Sequence, residues 1–334
     1  MPSVVLALLV LFSSVVAVQA GAATVGFHDW LSFFGISNSQ STSAGLYVLQ
    51  DLRLPRVFFS LLVGAGMGLA GALTQGLFRN PLADPGLLGV SAGGACAVAV
   101  MLVFLGKFEG QAAVTWGLWL TPLCAFIGSL AVCFALDAAA KWLTPGSIAG
   151  LLLTGVALNA LAAAVIGLCT YLASDAQLRS LSFWTLGSLS GANWTLVAIL
   201  AVLLVLVGWR AHIQADAFNA LALGQTAAAH LGVDVARLRT RVIIWVAILA
   251  GFSVAWCGMI SFIGLMAPNL VRLWAGPDMR RVLPLSMLMG AGLLLVADTL
   301  ARTVAIPAEI PVGVFTALLG APLFLLLLRQ RNTY

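Results

Sequence analysis

Charge is what this chain has least of. Only 8% of its 334 residues are Asp, Glu, Lys or Arg, against 62% hydrophobic, where a soluble domain carries about 25% charged residues. A soluble fold is therefore excluded, and the expected class is an all-α polytopic membrane protein. Lysine is nearly missing: Lys107 and Lys141 are the only two, and no GxxxxGK[ST] phosphate loop occurs, so the chain cannot cradle ATP in that manner. Histidine is scarce and scattered at His28, His212 and His230, with no carboxylate grouped around it, so neither a metal site nor a catalytic cluster is expected. The five cysteines, Cys96, Cys124, Cys133, Cys169 and Cys257, lie in apolar stretches without metal spacing and read as buried thiols. The net charge of +5 comes from loop arginines and not from a nucleic-acid patch.

What is present is a series of long apolar runs. A bilayer core takes about 20 apolar residues to cross. Charge-free windows place spans near 3–23, 57–77, 91–106, 114–136, 148–171, 192–209, 242–256, 258–273, 283–301 and 311–328, ten in all, within one transmembrane domain over 1–334. The first run resembles a signal peptide at Val18-Gln19-Ala20 but lacks the basic start that such a peptide needs; a retained helix is expected. Val242–Val271 is 30 residues without a charge, and Gly251, Gly258, Gly264 and Pro268 break it. Two short helices with a turn near Cys257-Gly258 fit this stretch better than one helix of about 45 Å. With ten spans and both termini inside, 11 of the 16 basic residues fall on the cytoplasmic side, as the positive-inside rule asks.

Arg210–Arg241 is a long polar interruption. Ala, Leu and Gln favour helix, and Gly224 and Gly232 sit where helices can stop, so two short helices are expected, about 216–223 and 225–231. They either dock into another protein or rest on lipid headgroups. Arg53 and Arg56 at a membrane rim either anchor to phosphates or pair with acids of an outside partner. Span two carries Gly64, Gly66, Gly68 and Gly71, which suits close helix packing. The run Arg79-Asn80-Pro81-Leu82-Ala83-Asp84-Pro85-Gly86-Leu87-Leu88-Gly89, with two prolines and two glycines, cannot be regular helix, and broken backbone at membrane depth is tolerated only inside protein or beside a water-filled cavity. Gln75, Thr154 and Asn159 are helix glue or pathway lining. Asp298 and Arg302 have intrahelical pair spacing. Arg56–Phe59 and Arg241–Ile244 echo each other as the openings of an inverted repeat would. Ion-coupled transport needs ionisable groups at mid-depth, and the spans hold almost none, so the driving force is expected from outside the chain.

Five stretches carry a family likeness: LRLPR (52–56), QGLFRNPLADPGLLGVSAG (75–93), LALGQTAAAHLGV (221–233), ISFIGLMAPNLVRLWAGPDMRRVLPLS (260–286) and EIPVGVFTALLGAPLFLLLL (309–328). From about Leu52 onward the chain resembles the permease subunits of bacterial ABC importers for iron-siderophores, haem and cobalamin, the FecCD family. The resemblance implies a type II importer architecture of ten helices, a homodimer in the bacterial inner membrane, two cytoplasmic ATPase subunits that bind the ATP and Mg, and a periplasmic binding protein. It makes Leu221, Leu223, Gly224, Ala228, Leu231, Gly232 and Val233 the coupling helices. Arg53, Arg56 and Arg302 become docking residues, since arginines at these positions in the cobalamin relative meet glutamates of the binding protein. Asn80 and Leu82 become one half of a cytoplasmic gate. The loop at Ile148 and Ala149 is the other half, where the relative has small hydroxyl residues, and Asn159 belongs to the pathway. The outer segment from Asp175 to Leu189 looks most like haem permeases, with no cofactor held by this subunit itself.

Overall fold

The computed structural model describes residues 2–21, 26, 29, 30, 33, 43–105, 111–145 and 147–331; most of 22–42 and Lys107 lie outside them. Among the described residues the structure is helical, with no strand. In chain order the helices are α1 (Pro2–Gln19), α2 (Leu54–Phe78), α3 (Val90–Val100), α4 (Gln111–Leu143), α5 (Ile148–Leu172), α6 (Asp175–Leu186) and α7 (Trp194–Ile213). There follow α8 (Ala215–Ala222), α9 (Gln225–His230), α10 (Val235–Cys257), α11 (Ile263–Ala275), α12 (Met279–Thr303) and α13 (Val312–Arg331). A short helix, Ser43–Tyr47, and a π-helical turn, Val48–Arg53, lead into α2.

Local chemistry sets most of the boundaries. Ser147, Asn193, Asp234 and Asp278 each cap a helix, accepting from the backbone N–H of Gly150, Leu196, Arg237 and Arg280 at 3.0 Å, which satisfies donors that a helix start leaves open. Among the described residues six helices are long and apolar enough to cross a bilayer, and α1, α3 and α13 are shorter apolar ones. With α11, the expected ten crossing elements are all helical.

Of the boundaries that differ from the sequence reading, two bear on the site. The helix expected at 242–256 begins at Val235, so Arg237, Arg239 and Arg241 ride on α10 instead of a loop; the Asp234 cap, not the last charge, starts it. Its partner begins at Ile263 and has 13 residues. That is about 20 Å, short of the roughly 30 Å hydrocarbon core. The chain therefore turns inside the bundle at 258–262.

At the centre stands α2, packed against α12, α11, α10 and α7. Its contact with α12 is backbone on backbone: a Cβ built on Gly64 would lie 2.3 Å from the Gly290 carbonyl oxygen, and one on Gly68 2.1 Å from that of Ser286. Only glycine permits this approach. The other helices surround the pair, with α3, α4 and α5 on one side and α1 and α13 on the other.

Candidate functional site

Three features carry more chemistry than packing needs. The first is the broken stretch after α2. Arg79 ends that helix in the left-handed region at φ 50, and the chain doubles back through a 3-10 turn, Pro85–Leu88, into α3. Polar groups of neighbouring helices satisfy the backbone that is left without helical partners. Asn269 Nδ2 donates to Pro81 O at 2.8 Å, and Asn159 Nδ2 to Gly86 O at 3.2 Å. Cys133 Sγ donates to Leu88 O at 3.4 Å and Ser129 Oγ to Val90 O at 2.8 Å. Asp84 folds onto Gly86 N at 2.7 Å, and Asn80 Oδ1 accepts from Leu82 N at 2.9 Å. Asp84 and Gly86 face Met259–Phe262, the other interruption, across a cavity of about 290 Å³. Thus the two irregular stretches meet inside the bundle.

The second feature is the α8–α9 turn. Phe218, Leu221 and Ala228 are buried, while Leu223 and Leu231 stand 73% and 66% exposed. The turn rests on a polar base: Asn219 Nδ2 donates to Asp278 Oδ1 at 2.7 Å, and Met279 N donates to Asn219 Oδ1 at 2.9 Å. Arg280 pairs with Asp216. The Arg280 hydrogen bond holds the Asp216 carboxyl below the usual carboxylate range, and the backbone N–H of Arg280 does the same, first among several contacts, for Asp278. Gly224 (φ 118) and Gly232 (φ 84) make the bends, a backbone region that disfavours side chains; Val233 is half-buried behind them. A cleft of about 640 Å³ separates Leu223–Ala227 from Ser147, Ile148, Ala149 and Arg79. Of the two expected gate halves, Ile148 and Ala149 line this cleft; Asn80 and the exposed Leu82 do not, and their neighbour Arg79 does.

The third feature is a string of charge at the opposite end. Arg53 and Arg302 are buried, at 5% and 6% exposure. Arg53 Nη1 donates to Val18 O at 2.7 Å and Gln19 O at 3.0 Å. Arg302 donates to Ala20 O at 3.0 Å and to Ala17 O. Two cations thereby close the carbonyl end of α1, where the helix dipole is negative. Asp298, fully buried, meets Arg302 only at 3.7 Å. Its shorter contacts are with Arg56, at 2.9 Å through Nη2 and 3.1 Å through Nε. The i,i+4 pairing expected from spacing is therefore the weaker of its two. Arg56 also reaches Glu309 at 2.9 Å. Breaking a buried pair by removing one partner costs about 3–5 kcal/mol, whereas an exposed pair is worth about 0–1 kcal/mol.

A match to the FecCD transport family spans residues 7–330. The chain belongs to that family. It is 43% identical over 318 residues to the hemin transport system permease of Yersinia pestis, covering 95% of this chain and 93% of that one. It is 38% identical over 329 residues to the vitamin B12 import system permease of Klebsiella pneumoniae, covering 98% and 93%. A solved structure described as an inward-facing metal-chelate type ABC transporter superposes with a TM-score of 0.82 at 31% identity, over 98% of this chain and 99% of that one. A FecCD chain is a multi-pass membrane permease of an ABC importer, not itself an enzyme, and works with ATPase and binding-protein partners. Among the described residues no cluster of His, Cys, Asp and Glu could hold a metal.

For a FecCD permease, the sequence reading missed how the broken stretch is held. Asn269 and Ser129 carry no mark in the sequence as its holders, nor does Arg272, which donates to Gln75, and Cys133 reads there only as a buried thiol. One signal was available: polar residues in otherwise apolar spans. It says that a partner exists and not which. A buried ion pair, Arg239 with Asp137 at 3.6 Å, was likewise hidden, because both residues fall outside the charge-free windows used to place spans.

Proposed function

We propose that this chain is the permease subunit of an importer that carries haem or a related iron chelate from periplasm to cytoplasm. Two copies form the membrane unit in a bacterial inner membrane, with both termini cytoplasmic, and two ATPase subunits that bind ATP and Mg grip its inner face at α8–α9. The observation that carries this reading is the α8–α9 turn: exposed Leu223 and Leu231 on a buried base, one cleft away from Arg79, where the broken stretch begins. Force on the turn thus has a short route to the 79–89 segment. In this reading Asn80, Leu82, Ile148, Ala149 and Asn159 border the path, and Leu221, Gly224, Ala228, Gly232 and Val233 shape the grip. Haem as cargo rests on the likeness to the hemin permease.

Docking of the binding protein belongs at the Arg56 end. There Arg53 and Arg302 hold α1 beneath the surface, and Arg56 is the arginine of the three that keeps an arm toward solvent. The test is reconstitution with the ATPase and binding protein in vesicles. Haem, cobalamin and a ferric siderophore are compared for uptake and for stimulation of ATP hydrolysis. Haem is expected to stimulate most. Leu223→Asp is expected to abolish uptake while the permease stays folded; full uptake by that variant, or uptake driven by an ion gradient without the ATPase, overturns the reading.

A further inference from the structure

Arg56 divides its guanidinium between two acids of unlike standing. Nε and Nη2 meet Asp298, whose side chain is fully buried, while Nη1 meets both oxygens of Glu309, at 3.0 and 2.9 Å. Glu309 is 48% exposed. The two arms differ in how readily they exchange. Release of Asp298 would leave a buried carboxylate facing Arg302 alone at 3.7 Å, which is strongly unfavourable. Release of Glu309 returns its carboxylate to water, and a second carboxylate can take its place on Nη1 at little net cost. Glu309 also lies between α12 and α13, outside either helix. Its neighbour Ile310 is fixed by its N–H to Ala301 O at 3.0 Å, so the side chain can swing while the backbone stays. Arg53 and Arg302, by contrast, are buried and donate to the carbonyls of α1.

We infer that Glu309 is an internal stand-in for an acidic side chain of the binding protein, and that docking exchanges one carboxylate for the other on Arg56 Nη1. This rests on the reading above that the binding protein docks at this end through acidic groups. Until it is displaced, Glu309 both occupies the arm and repels the incoming acid. The native contact therefore weakens docking and makes it reversible, and removing the Glu309 charge should strengthen it.

The experiment uses the permease with its ATPase subunits in nanodiscs and the immobilised binding protein, and reads Kd. Glu309→Gln is expected to tighten capture about threefold. Asp175→Asn is the control. Asp175 is exposed on α6, whose following Gly187 accepts from Val312 N at 3.1 Å at the same end of the bundle. It removes the same charge without touching Arg56 and is expected to give less than half that gain. Equal gains from both variants, or none from Glu309→Gln, overturn the stand-in. Arg56→Lys leaves one ammonium for Asp298, which preserves the fold, and takes away the exchangeable arm; it is expected to weaken capture and to cancel the gain of Glu309→Gln. Capture weakened by Arg56→Lys but indifferent to Glu309→Gln defeats only the stand-in. Capture indifferent to Arg56→Lys, in protein with unchanged thermal unfolding, defeats the docking reading itself.

Discussion

Helices α2 and α5 have 25 residues each, α5 without a charge and α2 with Arg56 alone near its start, yet they live in opposite surroundings. The membrane stretch that includes α2 is 83% buried, and that of α5 is 17% buried. Apolarity cannot account for the difference, because lipid tails are as apolar as leucine and give no reason to turn one greasy face inward. Shape accounts for it. Along α2, glycines meet the backbones of α11 and α12; a Cβ on Gly71 would lie 1.8 Å from the Gly264 carbonyl oxygen. On α5 such a contact occurs near its start, where Gly155 approaches Leu87 O and Asn159, four residues on, bonds the same turn. Farther along, a Cβ on Gly167 would meet nothing within 4 Å. In a bilayer, close approach and polar contact sort the inner helices from the outer ones.

The contrast can be broken most directly at its extremes. Gly71→Leu sets a side chain against backbone that cannot yield, and no monodisperse, folded protein is expected on size exclusion in detergent. Gly167→Leu should elute as the parent does, and similar profiles for the two would end the distinction. Next in size is Arg302→Met, which removes one cation from buried Asp298 and two contacts from the end of α1. Because Asp298 keeps Arg56 at 2.9 Å, the loss is that of the open α1 carbonyls, about 1–3 kcal/mol, read by denaturation in mixed micelles, with earlier proteolysis of α1. Asn159→Leu sharpens the comparison on α5 itself, because it removes the polar hold on Gly86; a loss of about 1–3 kcal/mol is expected in the same assay. Leu161→Ala, at a position 62% exposed, should shift stability by less than about 0.5 kcal/mol. A large loss there would mean that another protein surface, and not lipid, covers this face.

Much of the architecture was legible from the residues. Sparse charge and apolar run length gave the number of crossings, and Gly224 with Gly232 marked the ends of α8 and α9. Pro81, Pro85, Gly86 and Gly89 ruled out helix where the chain is broken. The candidate sites were legible as residue types only. Arg53, Arg56 and Arg302 stood out as rare cations in an oily chain, but their sequence positions could not say which were occupied. Val18 and Gln19 lie 35 and 34 positions from Arg53, and Glu309 lies 253 from Arg56. Nothing local encodes those distances.

Alone, then, the sequence determined the solvent this protein folds in, the number of times it crosses that solvent, and the points at which helix must stop. These follow from transfer free energies and backbone preferences, which act residue by residue. Tertiary structure decided which helix is central, that two interruptions meet within the bundle, and that Arg56, unlike the buried Arg53 and Arg302, keeps a solvent-facing arm, on Glu309. Those are properties of pairs brought together across the whole chain. A buried charge or an open carbonyl takes whichever partner the packing delivers, and only the completed packing names it.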